Sequence, residues 1–266
     1  MQDIEAAPTQ ASIAVSGPSG PSSFAPNGFV PKREVPQRVV NIQEPSVYFP
    51  SLPATKQPAE MVQILRTRCK QIGISLFFKD NASVRSLGFT SAIGGEGKTF
   101  LARLTAEVMA EEGTFRVTLL ECNWDKPTLG LAYNLPPGPG LSEWLLGRCP
   151  LEAIRRRVTG TLTVIPSGDT NYNVTQLLQK LQQRSIHSVL TDPNEILIVD
   201  LPATATTVYG PLAAQLPDLL ILVVRMGVTP ESQVAEACHS LRDSHVYGVI
   251  FNQVASRIPH WLQKIL

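Results

Sequence analysis

The sequence is short of charge imbalance, of cysteine and of long apolar runs, and each shortage removes a class of protein. Its 23 Lys and Arg nearly balance 22 Asp and Glu, leaving a formal net charge of +1. No broad electric field therefore recommends nucleic acid or an acidic lipid surface as a partner. The four cysteines, Cys69, Cys122, Cys149 and Cys238, are widely spaced with no Cys-x-x-Cys pair. That spacing predicts neither a zinc site nor a disulfide framework and fits a reducing cytoplasm. The most apolar run, Leu219 to Val224, is far shorter than the ~20 residues that cross a bilayer. The N-terminus has no basic stretch followed by an apolar core, so the expectation is a soluble, unprocessed chain without direct membrane insertion. His187, His239, His245 and His260 show no metal-ligand spacing, and no internal repeat is visible.

What is present suits one sizeable α/β domain: 266 residues, 43% of them hydrophobic. Ten of the 22 prolines fall in the first 58 residues among Ser, Gly, Ala and Gln, which predicts a disordered arm over residues 1–58. From Glu60 the apolar positions Met61, Ile64, Leu65 and Ile72 recur at helical spacing. They predict an amphipathic helix to about Gln71, interrupted by Gly73, within a connector spanning residues 59–86. Over residues 87–266, strand-like segments alternate with helical ones. The strands are Leu87 to Thr90, Val117 to Leu120, Leu162 to Ile165, Ile196 to Val199, Leu219 to Val224 and Tyr247 to Phe251. The helices are Thr99 to Glu112, Leu141 to Leu146, Thr175 to Leu190 and Glu231 to Arg242. Several strands are apolar throughout, as burial on both faces requires, so the expected fold is α/β: a mostly parallel sheet with helices on both faces. Arg155, Arg156 and Arg157 read as the solvated basic face of a helix.

The chemistry begins where the first strand meets Ala92-Ile93-Gly94-Gly95-Glu96-Gly97-Lys98-Thr99 and then a helix. In this context the glycines let backbone N–H groups converge on phosphate oxygens, and the helix N-terminus adds partial positive charge. Lys98 reaches the outer phosphates, and the Thr99 hydroxyl can ligate magnesium. Ala92 departs from the usual first glycine of such a loop. A second motif, Glu121-Cys122-Asn123-Trp124-Asp125-Lys126-Pro127-Thr128-Leu129, follows the next strand. A third strand, Ile196 to Val199, ends in Asp200, a carboxylate placed to hold magnesium directly or through water.

With these motifs in this order, the chain resembles the bacterial tyrosine kinases of polysaccharide synthesis and export, a branch of the MinD/ParA-like P-loop ATPases. The resemblance runs from Glu60 to about Val254. It takes in Leu65-Arg66-Thr67, Lys126-Pro127-Thr128-Leu129, Gly140-Leu141-Ser142-Glu143-Trp144-Leu145-Leu146-Gly147, Pro150-Leu151-Glu152 and Gly248-Val249-Ile250-Phe251-Asn252. Ile93 stands where partition ATPases carry a signature lysine, which favours the polysaccharide branch. The resemblance implies ATP or ADP with magnesium as cofactors, held by Gly94, Gly95, Glu96, Gly97, Lys98, Thr99, Phe100 and, at the adenine, Asn252. It implies Thr99 and Asp200 on the metal, and Lys98, Glu121 and Asp200 as the catalytic set. It also implies a ring docked through Glu60, Gln63 and Arg66, and a membrane-bound co-polymerase or chain-length protein as partner. That partner would hold a cytoplasmic protein at the inner membrane.

The second motif departs from the family. Two aspartates stand there in the relatives, whereas Glu121 and Asn123 occupy those positions here, and Asp125 replaces the first basic residue. Asn123 cannot take a proton. No tyrosine follows Tyr247, so the tyrosine-rich tail implied by the resemblance is missing from this sequence. The middle arginine of the ring helix is Gln63. The expectation is an ATP-binding, kinase-like regulator of exopolysaccharide or capsule assembly with weak or absent kinase activity. The alternatives are an active MinD/ParA-type ATPase switch and a still-active tyrosine kinase.

Overall fold

The structure is a computed structural model that describes residues 58–78, 84–182, 186–192 and 194–252. The arm read over residues 1–58 falls outside them up to residue 57, as does the segment after Asn252. In chain order the first elements are α1 (Pro58–Phe77), β1 (Ser86–Ser91), α2 (Lys98–Glu111), β2 (Arg116–Glu121), α3 (Leu129–Ala132) and α4 (Leu141–Leu145). Then come α5 (Leu151–Ile154), β3 (Arg156–Arg157), β4 (Leu162–Ile165), α6 (Val174–Gln182) and α7 (Ile186–Leu190). The last are β5 (Glu195–Ala203), α8 (Gly210–Ala213), β6 (Leu219–Arg225), α9 (Glu231–Ser240) and β7 (Val246–Asn252). The strands form a sheet in the order β3-β4-β2-β5-β1-β6-β7, parallel everywhere except between β3 and β4. Parallel neighbours need long crossovers, and the helices between strands supply them.

Period-two alternation divides the strand residues between two cores. Leu87, Phe89, Val117, Leu119, Ile196, Ile198, Ile221 and Val223 face one side, where α1 and α2 bring Cys69, Ile72, Leu76, Leu101, Leu104 and Met109. Leu120, Leu197, Val199, Leu201, Leu220, Leu222 and Val224 face the other, with Leu141, Ile154, Leu177, Leu178, Leu181, Leu190 and Ala237 from α4 to α9. Each fully buried aliphatic side chain contributes about 1.5–3 kcal/mol. Helices on both faces of a mostly parallel sheet are what the apolar strand runs lead one to expect. No helix among the described residues is long and apolar enough to cross a membrane.

Two sequence readings are corrected. The first helix does not stop before Gly73 but runs on to Phe77. A Cβ on Gly73 would lie 2.2 Å from the Met109 sulfur, so glycine here is a contact surface and not a breaker. Arg155 to Arg157 are not a helix face. The helix α5 ends at Ile154, Arg155 is extended, and Arg156 and Arg157 pair antiparallel with Val164 and Thr163. The cause is the Arg155 guanidinium, which donates to the Leu190 carbonyl at 2.7 Å and to both oxygens of buried Glu195 at 2.7 and 2.8 Å. A buried acid needs such a partner. The helix read over Thr175 to Leu190 is present as α6 and α7, with residues 183–185 outside the described residues.

Candidate functional site

The candidate site lies at the carboxyl ends of β1, β5 and β2, which is where open α/β sheets bind ligands. The chain leaves β1 at Ser91 and enters α2 at Lys98 through two residues with positive φ, Gly95 at 87° and Gly97 at 98°. Only glycine adopts these angles cheaply. Gly97 is also the N-cap of α2, and no side chain caps it. The first amides of a helix have no intrahelical acceptor, so this end is built to receive an anion. Lys98 is buried beside it, whereas Phe100 is 40% exposed with Arg103 over its ring at 5.9 Å.

Asp200 ends the apolar part of β5, paired in register with Phe89 on one side and Glu121 on the other. The Thr99 hydroxyl donates to it, lying 3.0 and 2.8 Å from its two oxygens. Burial pushes the Asp200 carboxyl up to about 7, against the opposing pull of Lys98 and the Thr99 hydroxyl, with Glu121 adding to the rise. A buried carboxylate whose pKa stays raised despite Lys98, beside a hydroxyl and a phosphate loop, is a hard-oxygen donor set that fits a small divalent cation. No cluster of three or more His, Cys, Asp or Glu side chains that could hold a metal occurs among the described residues, so phosphate and water would complete such a shell.

The second motif is used differently. Glu121 is buried, and Oε1 accepts the Thr128 and Leu129 N–H groups at 2.6 and 2.8 Å. Its Oε2 accepts the Ser167 N–H and hydroxyl at 3.2 and 3.3 Å. These four donors fill the carboxylate and tie it to the start of α3 and to Ser167. Asn123 is buried, and its Nδ2 lies 3.4 Å from the Lys126 carbonyl. Trp124 packs rather than lying open: it is buried, donates from Nε1 to the Ser142 hydroxyl at 2.8 Å, and meets the Tyr209 ring edge-on at 6.1 Å. Asp125 accepts hydroxyls from Thr207 and Tyr209, both at 3.0 Å, which ties the motif to the segment after β5. Burial, and then Asp125, raise the Tyr209 phenol above its usual range. Sequence reasoning missed these partners, because they lie more than 80 residues from Asp125 and follow no motif.

The remaining expected residues fall in two places, one at the phosphate loop and one on α1. Asn252 ends β7, and its side-chain amide donates to the Glu96 carbonyl at 2.8 Å, against the phosphate loop. Glu60, Gln63 and Arg66 lie on α1. Gln63 is exposed, while Arg66 forms an ion pair with Glu111 of α2, which also raises its pKa.

No protein-family model matches the chain. The tyrosine-protein kinase YwqD of Bacillus subtilis is 28% identical over 179 residues, 66% of this chain and 75% of its own length. The chain is a homologue of the bacterial tyrosine-protein kinases. The tyrosine-protein kinase CpsD of Streptococcus agalactiae is 25% identical over 207 residues, covering 76% of this chain and 85% of its own. The kinase domain of Escherichia coli Etk superposes with a TM-score of 0.64 at 19% identity, covering 75% of this chain and 79% of that domain. The septum site-determining protein MinD of Pyrococcus horikoshii, solved with Mg-ADP, gives 0.53 at 21% identity over 68% of this chain and 76% of its own. The sheet is thus that of the MinD-like P-loop proteins, as the motif order implied.

Proposed function

We propose that this homologue of tyrosine kinases binds ATP or ADP with magnesium and works as a regulator of exopolysaccharide or capsule assembly, with phosphoryl transfer to tyrosine weak or absent. One contrast carries the reading. Thr99 and Asp200 meet beside the phosphate loop, whereas four donors fill the Glu121 carboxylate and Asn123 is buried with its amide 3.4 Å from the Lys126 carbonyl. In this reading the Gly94 to Thr99 backbone and Lys98 hold the phosphates, and Thr99 and Asp200 hold the ion. A bound magnesium ion would neutralise phosphate charge. Glu121 is then a structural anchor and not a base, and Asn123 has no proton-accepting group to offer an attacking hydroxyl. Such a protein acts by changing shape with its nucleotide, in the cytoplasm at the inner membrane, on a membrane-bound co-polymerase partner. An active ATPase switch is the second reading, and the Lys98, Thr99 and Asp200 set favours it, because hydrolysis needs no tyrosine acceptor. The test is calorimetric titration with magnesium and ADP, followed by incubation with ATP and mass spectrometry for phosphotyrosine and released phosphate. No heat at millimolar nucleotide sinks the binding reading. Robust phosphotyrosine that vanishes in Lys98→Ala sinks the regulator reading, and rapid phosphate release without phosphotyrosine moves the assignment to the switch.

A further inference from the structure

A phosphate loop needs only the backbone of the residue between its last glycines, yet the side chain of Glu96 is 1% exposed and reaches in two directions. Its Oε2 accepts the Ile93 N–H at 2.7 Å, within the loop. Its Oε1 accepts the Arg225 N–H at 3.0 Å, at the end of β6, and the Thr229 hydroxyl, in the turn that leads to α9. The backbone draws in the same parts. The Glu96 carbonyl accepts from the Asn252 amide at 2.8 Å, and the Asn252 carbonyl accepts the Met226 N–H at 3.1 Å. Phosphate loop, β6 turn and the end of β7 are one knot, with a buried carboxylate at its centre.

The surface beside the knot indicates its use. The turn that Glu96 holds carries Met226 and Val228, 43 and 53% exposed, whereas the β5 side carries Asp200. With phosphates at the start of α2, a flat apolar base finds its complement on the β6 and β7 side. We propose that Glu96 is a positioning residue: its carboxylate fixes the Arg225–Thr229 turn against the phosphate loop, so that the base of a bound nucleotide meets an apolar wall that is already formed. This rests on the nucleotide-binding reading above. The physical reason is preorganisation, since a turn that must be ordered during binding takes its cost from affinity. Removing the carboxylate also leaves three donors without an acceptor.

The full-length chain and its Glu96→Ala, Glu96→Gln and Thr229→Val variants are titrated with magnesium and, in turn, ADP, CDP and pyrophosphate. Hydrogen exchange is followed over residues 225–229 in the ligand-free proteins. Glu96→Ala is expected to weaken ADP about tenfold, shrink the preference for ADP over CDP, and change pyrophosphate less than about threefold. Exchange at the Arg225 amide should accelerate. Glu96→Gln keeps one acceptor and Thr229→Val removes one donor, so both should fall between wild type and Glu96→Ala, and they carry the test if the alanine variant does not fold. Equal weakening of ADP and pyrophosphate, or unchanged exchange at Arg225, overturns the proposal. A wild-type protein that binds no ADP overturns the nucleotide reading and the base wall with it, whatever the exchange shows.

Discussion

The phosphate loop after β1 and the second motif after β2 flank one strand, β5, yet they spend their hydrogen-bonding capacity in opposite ways. Around the loop, Thr99 and Asp200 bond mainly to each other, a contact that an ion could replace at little loss. In the second motif every oxygen of Glu121 is committed to its own chain, and Asp125 is shared between Thr207 and Tyr209. An acid whose lone pairs are filled by backbone donors holds a fold together. An acid whose side chain bonds one hydroxyl, with a lysine near by, keeps lone pairs for an ion. By this measure the loop keeps bonding capacity that a ligand could use, and the second motif spends its own on the fold.

The contrast can be broken most directly at Glu121. Glu121→Ala strands the Thr128, Leu129 and Ser167 amides, and we expect a loss of about 2–5 kcal/mol in urea denaturation. A loss under about 1 kcal/mol would return Glu121 to the catalytic list. The opposite signature is expected at Lys98. Lys98→Ala should weaken magnesium-ADP binding by roughly tenfold to hundredfold in calorimetry, the worth of one charge-assisted bond, with unfolding little changed. Asn123→Asp sharpens the comparison by returning an acid to the second motif. Phosphotyrosine in mass spectrometry should rise above the wild-type level, and no rise would mean that Asn123 is not what limits transfer. The smallest effect belongs to Arg66. Its ion pair with Glu111 is partly exposed, so Arg66→Ala should cost no more than about 1 kcal/mol. Light scattering of the same variant across salt tests the ring helix: unchanged association would mean that Arg66 serves α2 and not a neighbouring subunit.

Much of the architecture was legible because the strands are apolar on both faces, a pattern that a short buried parallel strand cannot avoid. The phosphate loop was legible because glycine spacing, lysine and threonine are consecutive in sequence. Three things were not. The four-residue helices α3, α5 and α8 are too short for a helical period to show. Arg155 to Arg157 look like a charged helix face until buried Glu195, forty residues on, turns out to need a guanidinium partner. The use of Glu121 depends on amides at Thr128, Leu129 and Ser167, and backbone donors leave no mark in a sequence.

The two-residue strand β3 has a bearing on how this protein behaves at high concentration. It occupies one edge of the sheet, and an edge strand offers unpaired amides and carbonyls on which another chain can lay a strand of its own. Here that edge is two residues long and both are arginine. A second copy arriving there would find too little backbone to grip and would have to bring like charges together. The arginines thus guard this edge of the sheet against a strand from another copy, and replacing Arg156 and Arg157 with valine should raise self-association, read by light scattering against concentration.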